Sequence, residues 1–267
     1  MIKLVAIDLD GTLVNSDLQI SDEDIESIKK CLQKGIIVTI VTGRCMRSVR
    51  KITDMLDLKG LHLASSGSAV IDAKLKVYKI LKVPGKSVKH VVEKSREWDK
   101  AIMIHTIDGF LKYEKYLPNL KHIAENKDLF KEVEDILDTD ILANSLQMTV
   151  LIDEDDEFNQ YLKKITGEEV KIRRGGPYFL NILNKKAGKL FGMKEILKIT
   201  GINKENLMVI GDTELDLGII KYAGVGVAMG NASHSVKNSA DYITSDNDNS
   251  GVAMAINRYI LSSQENI

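Results

Sequence analysis

The sequence predicts an α/β fold in which a doubly wound parallel sheet is interrupted by an inserted α+β module. Both outer parts of the 267-residue chain alternate short apolar, β-branched runs with segments of helical periodicity. This alternation is typical of a parallel sheet with helices on both faces. Several apolar runs also stop abruptly at polar residues. The middle of the chain instead combines helical segments with hairpin patterns.

The N-terminal part begins the alternation of strands and helices. Its first run is wholly apolar and stops at Asp8, as a buried strand does. Ser21 precedes an acidic first turn and an apolar helical pattern that Gly35 ends, which predicts an N-capped helix. The remaining predicted elements of this part are strands at residues 4–7, 36–41 and 61–64 and a helix at residues 46–56.

The C-terminal part repeats the same alternation. Its apolar runs are again short and β-branched, and one of them closes at Gly211-Asp212. The predicted elements are helices at residues 187–199, 215–222 and 252–261, strands at residues 207–210 and 225–228, and an edge strand at residues 241–243. Together the two outer parts predict one sheet domain made of residues 1–82 and 184–267.

Residues 83–183 predict a separate α+β module. Asp108-Gly109 lies between two strand-like runs and is a strong hairpin signal. A second hairpin is predicted across Gly175-Gly176-Pro177. The predicted elements are helices at residues 88–98 and 158–165 and strands at residues 101–105, 110–113, 147–152, 170–173 and 178–183, with a helical stretch before residue 147.

Composition restricts the class of partner. The chain has 37 Lys and Arg residues and 38 Asp and Glu residues, so basic residues are not in excess. The composition therefore does not indicate nucleic acid or an anionic membrane as a partner. A small ligand or a protein partner is the better expectation. The N-terminus lacks the apolar core of a signal peptide, and no apolar stretch approaches the roughly 20 residues that span a bilayer. These features lead us to expect a cytoplasmic protein. The sequence gives no indication of the oligomeric state.

Polar clusters follow three of the predicted parallel strands. Asp8 and Asp10 follow the first, Thr42 follows the second, and Asp212 follows a strand of the C-terminal part. The carboxyl ends of strands face the ligand crevice of an open α/β sheet, so neighbouring strands would bring these side chains together. Lys189, at the start of a predicted helix, could reach the same place.

These residue types predict phosphoryl transfer. Mg²⁺ held by Asp8 and Asp212 would offset the charge of a phosphate monoester, and Asp8 could attack the phosphorus atom. Asp10 would protonate the leaving oxygen and later activate water. Thr42 and Lys189 would hold the equatorial oxygens. Gly11 would leave room for the backbone to turn closely around the phosphate.

In these motifs the chain resembles the haloacid dehalogenase superfamily, and within it the Cof-type sugar-phosphate phosphatases. Asp8-x-Asp10-Gly11-Thr12 is similar to the first motif, Thr42-Gly43-Arg44 to the second, Lys189 to the third, and Gly211-Asp212-x-x-x-Asp216 to the fourth. The resemblance covers essentially the whole chain. It implies a Rossmann-like core with a large cap at the predicted insertion.

The resemblance also implies roles for individual residues. Asp216 would support the metal site, and the backbone carbonyl of Asp10 would be a metal ligand. The other residues of the first two motifs, together with a matching Gly230-Asn231-Ala232 segment, give these candidates for substrate contact: Leu9, Gly11, Thr12, Gly43, Arg44 and Asn231. Arg173, Arg174 and Tyr178 in the second hairpin are further candidates.

Two departures from the family pattern bear on the site. Leu215 stands where the family usually has Asn, and Ser66-Gly67-Ser68 stands where it often has Asn-Gly-Ala. Both remove amide groups, which predicts altered hydrogen bonding or substrate contact and not loss of the nucleophile. The leading hypothesis is hydrolysis of a small phosphate monoester, with a sugar phosphate as the expected substrate. A phosphomutase and a phosphate-metabolite binding protein with little turnover remain as alternatives.

Overall fold

The computed structural model describes residues 1–114, 126–152, 157–165, 167–175 and 178–262. The described strands are β1 (Leu4–Ile7), β2 (Ile37–Ile40), β3 (Leu61–Ala64), β4 (Ala69–Asp72), β5 (Val77–Ile80), β6 (Ile102–Thr106), β7 (Leu111–Tyr113), β8 (Phe130–Glu132), β9 (Ser145–Leu151), β10 (Val170–Arg174), β11 (Phe179–Asn184), β12 (Leu207–Gly211), β13 (Val225–Ala228) and β14 (Tyr242–Ile243). The described helices are α1 (Asp22–Gln33), α2 (Met46–Met55), α3 (Gly85–Glu97), α4 (Thr139–Asn144), α5 (Glu157–Ile165), α6 (Lys189–Thr200), α7 (Leu217–Ile220), α8 (His234–Lys237) and α9 (Gly251–Ile256), the last continued by a π-helical segment, Asn257–Leu261.

A parallel sheet with the strand order β14-β13-β12-β1-β2 forms the core. Every residue of β1 is buried, because helices cover both faces of the sheet. Val5 and Ile7 pack in one apolar cluster with residues of α1, α2 and α9. Leu4 and Ala6 point the other way, into a cluster with residues of α6, α7 and α8. The predicted doubly wound α/β core is therefore confirmed.

The third predicted strand departs from the expected arrangement. β3 joins the core sheet through a single parallel bridge between Val41 and Leu63, and otherwise forms an antiparallel sheet in the order β3-β4-β5. Ser65, Ser66 and Gly67 all have positive φ angles, and they reverse the chain so that β4 returns along β3. Strands β4 and β5 were not predicted from the sequence.

The middle of the chain forms a second, six-stranded sheet with the order β10-β11-β9-β6-β7-β8. Helices α3, α4 and α5 cover one of its faces through a single apolar cluster. Both predicted hairpins form, although Gly176 and Pro177 lie outside the described residues. Strand β8, which pairs parallel to β7, was not predicted. We propose that residues 83–183 are this module, here called the cap.

Some predicted element bounds were too long. The helix expected at residues 215–222 is limited to α7, and α-helical geometry ends at Ile256 in the last predicted helix. Across the described ranges, none of the helices combines the length and the apolar character that crossing a membrane requires.

A buried carboxylate ties the N-terminal part of the core to the C-terminal part. Asp24 in α1 accepts a hydrogen bond of 2.7 Å from the backbone nitrogen of Ala253, in the first turn of α9. A carboxylate at this place satisfies a backbone donor that the helix leaves unpaired and suits the positive end of the helix dipole. Ser21, as predicted, caps α1 by accepting from the backbone nitrogen of Asp24.

We predict that Asp24→Ala lowers the free energy of unfolding by about 1–3 kcal/mol, because the Ala253 donor would be left buried without its partner. Urea denaturation measures the change. Asp22→Ala, which removes an exposed acid from the same helical turn, is the control and should cost no more than about 0.5 kcal/mol. Equal unfolding midpoints for the two variants would contradict the assignment.

Candidate active site

The predicted polar clusters meet at the carboxyl edge of the core sheet. β1 lies between β12 and β2, so Asp8, Asp212 and Thr42 follow strands that are direct neighbours. Lys189 is the first residue of α6 and reaches the same edge from the side. The convergence expected from the sequence therefore occurs.

Three carboxylates form the centre of this site. Asp8, Asp212 and Asp216 each place one oxygen within 4.8 Å of the others. The Lys189 ammonium lies 2.9 Å from Asp8 Oδ1 and 2.7 Å from Asp216 Oδ1, and its side chain is only 3% exposed. The cluster thus combines three acidic groups with one buried cation and carries an excess of negative charge.

The crowding of carboxylates shifts their protonation. Burial raises the pKa of Asp8, and Asp216 and Asp212 raise it further, whereas Lys189 opposes the shift. Burial is also the main cause that raises the pKa of Asp212 to about 6. Lys189 is itself buried, yet the two carboxylates that it contacts raise its pKa, so it stays charged. A divalent cation would favour the ionised carboxylates, and oxygen donors are the ligands that Mg²⁺ prefers.

The loop after β1 positions Asp212. The hydroxyl of Thr12 donates a 2.7 Å hydrogen bond to Asp212 Oδ1. Gly11 has a φ angle of +77°, and a Cβ atom there would lie 2.5 Å from Asp212 Oδ2, so a side chain at this position would collide with the carboxylate. Asn231 fastens the same loop, because its amide nitrogen donates to the Gly11 carbonyl over 2.8 Å. Its amide oxygen accepts from the backbone nitrogen of Asn247.

The loop of the fourth motif positions Asp216. Asp216 Oδ2 accepts from both the backbone nitrogen and the hydroxyl of Thr213, at 3.2 and 2.9 Å, while Oδ1 contacts Lys189. Both carboxylate oxygens of Asp216 are therefore engaged within the protein. Thr213 was not predicted as a site residue, although a hydroxyl residue three positions before a buried acid is a recognisable local pattern. Leu215 lies in the same loop and is partly buried.

Leu9 and Thr42 are held inside the protein. The Leu9 side chain packs in the apolar core, and its backbone nitrogen donates a 2.8 Å hydrogen bond to Asp8 Oδ1. Only the backbone of Leu9 therefore belongs to the site. Thr42 is fully buried, and its hydroxyl oxygen accepts from the backbone nitrogen of Arg44. Gly43 lies beside Ser66, whose hydroxyl oxygen would be 3.3 Å from a Cβ atom at position 43.

Asp10 and Arg44 form an ion pair that the sequence did not predict. Arg44 Nε lies 3.0 Å from Asp10 Oδ2, and its terminal nitrogen lies 2.5 Å from Oδ1. The Asp10 side chain is 59% exposed and is not one of the three clustered carboxylates. Asp10 therefore faces the open side of the site, next to the buried Asp8.

Comparison with known proteins identifies the family. The model of the haloacid dehalogenase-like hydrolase family matches residues 5–256. The chain belongs to this family. A Bacillus subtilis relative, described as a 5-amino-6-(5-phospho-D-ribitylamino)uracil phosphatase, is 31% identical, with 97% of this chain and 96% of the relative covered. A putative phosphatase of the same organism is 27% identical, with 98% of this chain and 100% of the relative covered.

Solved structures of the family have the same architecture. A haloacid dehalogenase-like hydrolase of Bacteroides thetaiotaomicron superposes with a TM-score of 0.88 at 30% identity, covering 97% of this chain and 99% of the other. A phosphatase of the superfamily from the same organism superposes with a TM-score of 0.81 at 27% identity, covering 97% and 95%. The family, the fold and the phosphatase class predicted from the four motifs are confirmed.

We predict that Lys189→Met destabilises the metal-free protein by about 3–5 kcal/mol, because the buried carboxylates would lose their cation. The loss of stability should be smaller at acid pH, because protonation of the carboxylates removes the negative charge that Lys189 balances. Urea unfolding in the presence of a chelator, at neutral and acid pH, measures both effects.

Lys186→Met provides the control for this variant, because Lys186 is exposed three residues earlier. It should change the free energy of unfolding by no more than about 0.5 kcal/mol. A Lys189→Met protein as stable as the control at neutral pH would contradict the electrostatic account of the cluster.

Proposed function

We propose that this phosphatase hydrolyses small phosphate monoesters through an aspartyl-phosphate on Asp8, with Mg²⁺ as its cofactor. The observation that carries the proposal is the cluster of three carboxylates within 4.8 Å of one another, two of which, Asp8 and Asp216, contact the buried Lys189. The name of the 31% identical relative refers to a phosphorylated ribityl compound, which supports a small phosphorylated metabolite as substrate.

The proposed metal ligands are carboxylate oxygens of Asp8 and Asp212, with Asp216 in support and the backbone carbonyl of Asp10 as a further ligand implied by the family. Mg²⁺, when bound, supplies positive charge that offsets the phosphate dianion and the carboxylates around it. Asp216 supports the site through Lys189 and Thr213, since both of its oxygens are already engaged by these residues.

The proposed reaction has two displacements at phosphorus. In the first, a carboxylate oxygen of Asp8 forms a bond to phosphorus while the bond to the ester oxygen breaks. Asp10 gives a proton to that leaving oxygen. In the second, Asp10 takes a proton from water, whose oxygen attacks phosphorus and releases Asp8. Lys189 and Thr42 hold the phosphoryl oxygens during both steps.

The ion pair between Asp10 and Arg44 bears on the acid step. Arg44 donates hydrogen bonds to both oxygens of Asp10, so neither oxygen is available to a leaving group while the pair is closed. Proton donation by Asp10 therefore requires the pair to open as the substrate binds. Arg44 is then free to contact an anionic or hydroxylated part of the substrate, in agreement with the substrate-binding role proposed for the second motif.

We expect the purified protein to release inorganic phosphate from 4-nitrophenyl phosphate with Mg²⁺ and to lose this activity with excess chelator. Phosphate release and circular dichroism are measured on the same sample. A folded protein that releases none with Mg²⁺ present would favour the binding-protein alternative. Formation of an isomeric phosphate ester in place of free phosphate would favour a phosphomutase.

We predict that Asp8→Asn reduces kcat by at least about 10⁴-fold without unfolding the protein, because a neutral amide cannot attack phosphorus. Steady-state phosphate release measures the loss, and thermal unfolding verifies the fold. Asp17→Asn, which neutralises an exposed acid nearby in the chain, should keep wild-type activity. Substantial turnover by Asp8→Asn would exclude Asp8 as the nucleophile.

We predict that Asp10→Asn lowers kcat/KM for alkyl phosphates by about 10²–10⁴-fold and lowers kcat/KM for aryl phosphates by a much smaller factor. An alkoxide needs a proton to leave, whereas a nitrophenolate does not. Ratios of kcat/KM for glycerol phosphate and 4-nitrophenyl phosphate measure the difference. Equal slowing of both esters would show that Asp10 is not the acid.

A further inference from the structure

The side chain of His62 lies inside the core, in a strand whose other residues are apolar. β3 has the sequence Leu-His-Leu-Ala, all four residues are buried, and His62 has no exposed surface. Burial lowers the pKa of His62 to about 4, although Asp72 opposes the shift, so the ring is neutral at ordinary pH. A neutral imidazole has one donor and one acceptor, and burying them is costly unless they are bonded. A histidine at this place therefore needs a physical reason.

The acceptor of the His62 ring replaces a ladder hydrogen bond at the edge of β2. The backbone nitrogen of Val41 donates to the Ile7 carbonyl in β1, so the nitrogen of Ile40, one residue earlier, faces β3. In a continuous parallel ladder it would donate to a carbonyl of β3. β3 meets β2 in a single bridge, at Val41 and Leu63, and the Ile40 nitrogen donates instead to His62 Nδ1 over 3.1 Å.

This hydrogen bond fixes the tautomer of the ring. Because Nδ1 accepts from an N–H group, it carries no hydrogen, and Nε2 carries the single hydrogen of the neutral imidazole. Nε2 is buried and has no hydrogen-bond partner among the described residues. The core thus keeps one unsatisfied donor, which an apolar side chain at position 62 would avoid. What His62 contributes is the acceptor at Nδ1.

The same edge of β2 continues into the second motif. Thr42 lies two residues after Ile40, and its backbone nitrogen donates to the Leu63 carbonyl over 3.2 Å. Two successive residues of β3 therefore hold alternate nitrogens of one chain segment, His62 through its side chain and Leu63 through its main chain. The turn after β3 adds a third attachment, since the Ser66 nitrogen donates to the Thr42 carbonyl over 3.0 Å. His62 provides the first of these three attachments.

The Thr42 hydroxyl is oriented to donate to an oxygen ligand. Its oxygen accepts from the backbone nitrogen of Arg44 over 3.1 Å, which leaves its hydrogen for another acceptor. Thr42 follows β2 and Asp8 follows β1, and the last residues of these two strands are paired. The place of the hydroxyl relative to the Asp8 carboxylate therefore depends on how the end of β2 is held. A displacement of about 1 Å near reacting groups can cost about 10²-fold in rate.

We propose that His62 is a positioning residue for phosphoryl transfer, whose Nδ1 fixes the end of β2 and thereby the Thr42 hydroxyl against the transferring phosphoryl group. The proposal rests on the role proposed above for Thr42. His62 is fully buried and acts only through the Ile40 nitrogen. Without the acceptor, the end of β2 loses its first attachment to β3. The effect falls on kcat more than on KM, because the hydroxyl matters most where charge develops in the transition state.

The test compares two substitutions of His62 that differ in the acceptor. The side-chain oxygen of Asn can occupy the place of Nδ1, so His62→Asn keeps a partner for the Ile40 nitrogen, whereas His62→Leu removes it. On 4-nitrophenyl phosphate with Mg²⁺, we expect His62→Leu to lower kcat by about 10–100-fold and to change KM by less than about threefold. His62→Asn should keep at least about half of the wild-type kcat. Rates are referred to the folded fraction, measured by circular dichroism.

Asp24→Ala is the matched control, because Asp24 also accepts from a buried backbone nitrogen, that of Ala253. It should lower stability but keep kcat of the folded protein within about twofold of wild type. Equal losses of kcat in Asp24→Ala and His62→Leu would overturn the proposal, since general destabilisation would then explain both. A wild-type kcat in His62→Leu would also overturn it, as would equal losses in His62→Asn and His62→Leu.

Nitrogen-15 NMR tests the hydrogen bond without turnover. At neutral pH we expect Nδ1 of His62 to be the unprotonated ring nitrogen in the wild-type protein, and a proton on Nδ1 would overturn the proposal. If His62→Leu does not fold, His62→Gln takes its place with the same expected loss of kcat, because its amide lies one bond beyond the position of Nδ1. Wild-type protein that releases no phosphate would overturn the proposed function together with this inference. Wild-type turnover with no loss of kcat in the acceptor-free variant would overturn this inference alone.

Discussion

The mutual repulsion of three carboxylates is the constraint around which the core is built. Asp8, Asp212 and Asp216 come from two strand ends and the loop that follows one of them, and they share a space within 4.8 Å. Like charges at this distance in a poorly solvated site are unfavourable. Lys189 offsets part of that repulsion, and the hydrogen bonds from Thr12 and Thr213 fix two of the acids. The surrounding sheet supplies the rigidity that keeps these groups together.

The cap contacts the core through both apolar and polar side chains. Cys45 of the core lies in one buried apolar cluster with Met103, Leu111 and Leu129 of the cap. From α2, Arg47 donates to the Asp108 carbonyl and lies 3.9 Å from the centre of the Phe110 ring, and Lys51 forms an ion pair of 2.7 Å with Asp128. Contacts of this kind are worth little individually at an exposed surface. Opening the cap would also expose the apolar cluster at Cys45 to water, which costs free energy in proportion to the apolar area exposed.

Much of the core and of its catalytic edge could be predicted, because both depend on short-range patterns. β1, β12 and β13 are apolar runs, β2 is apolar apart from Thr39, and Asp8 and Asp212 come directly after their strands. The turn at Ser65 and Ser66 could not be predicted, since serine rarely adopts positive φ angles and carries no signal for them. The burial of Gln147 in β9 could not be predicted for a related reason. A polar residue in a strand is usually expected to face solvent, whereas Gln147 is buried against the core. The ion pair between Asp10 and Arg44 depends on how two loops approach in three dimensions.

The central position of β1 has a consequence for synthesis of the chain. β1 needs β12 on one side, and Thr12 is separated from its partner Asp212 by 200 residues. At typical translation rates a ribosome takes about 10 to 40 s to add that many residues. During this interval β1 has a neighbour on one edge only, while the whole cap emerges as one continuous segment. A nascent chain of this phosphatase therefore exposes an unpaired edge of β1 until β12 has been synthesised, and an exposed strand edge is a template for pairing with other chains.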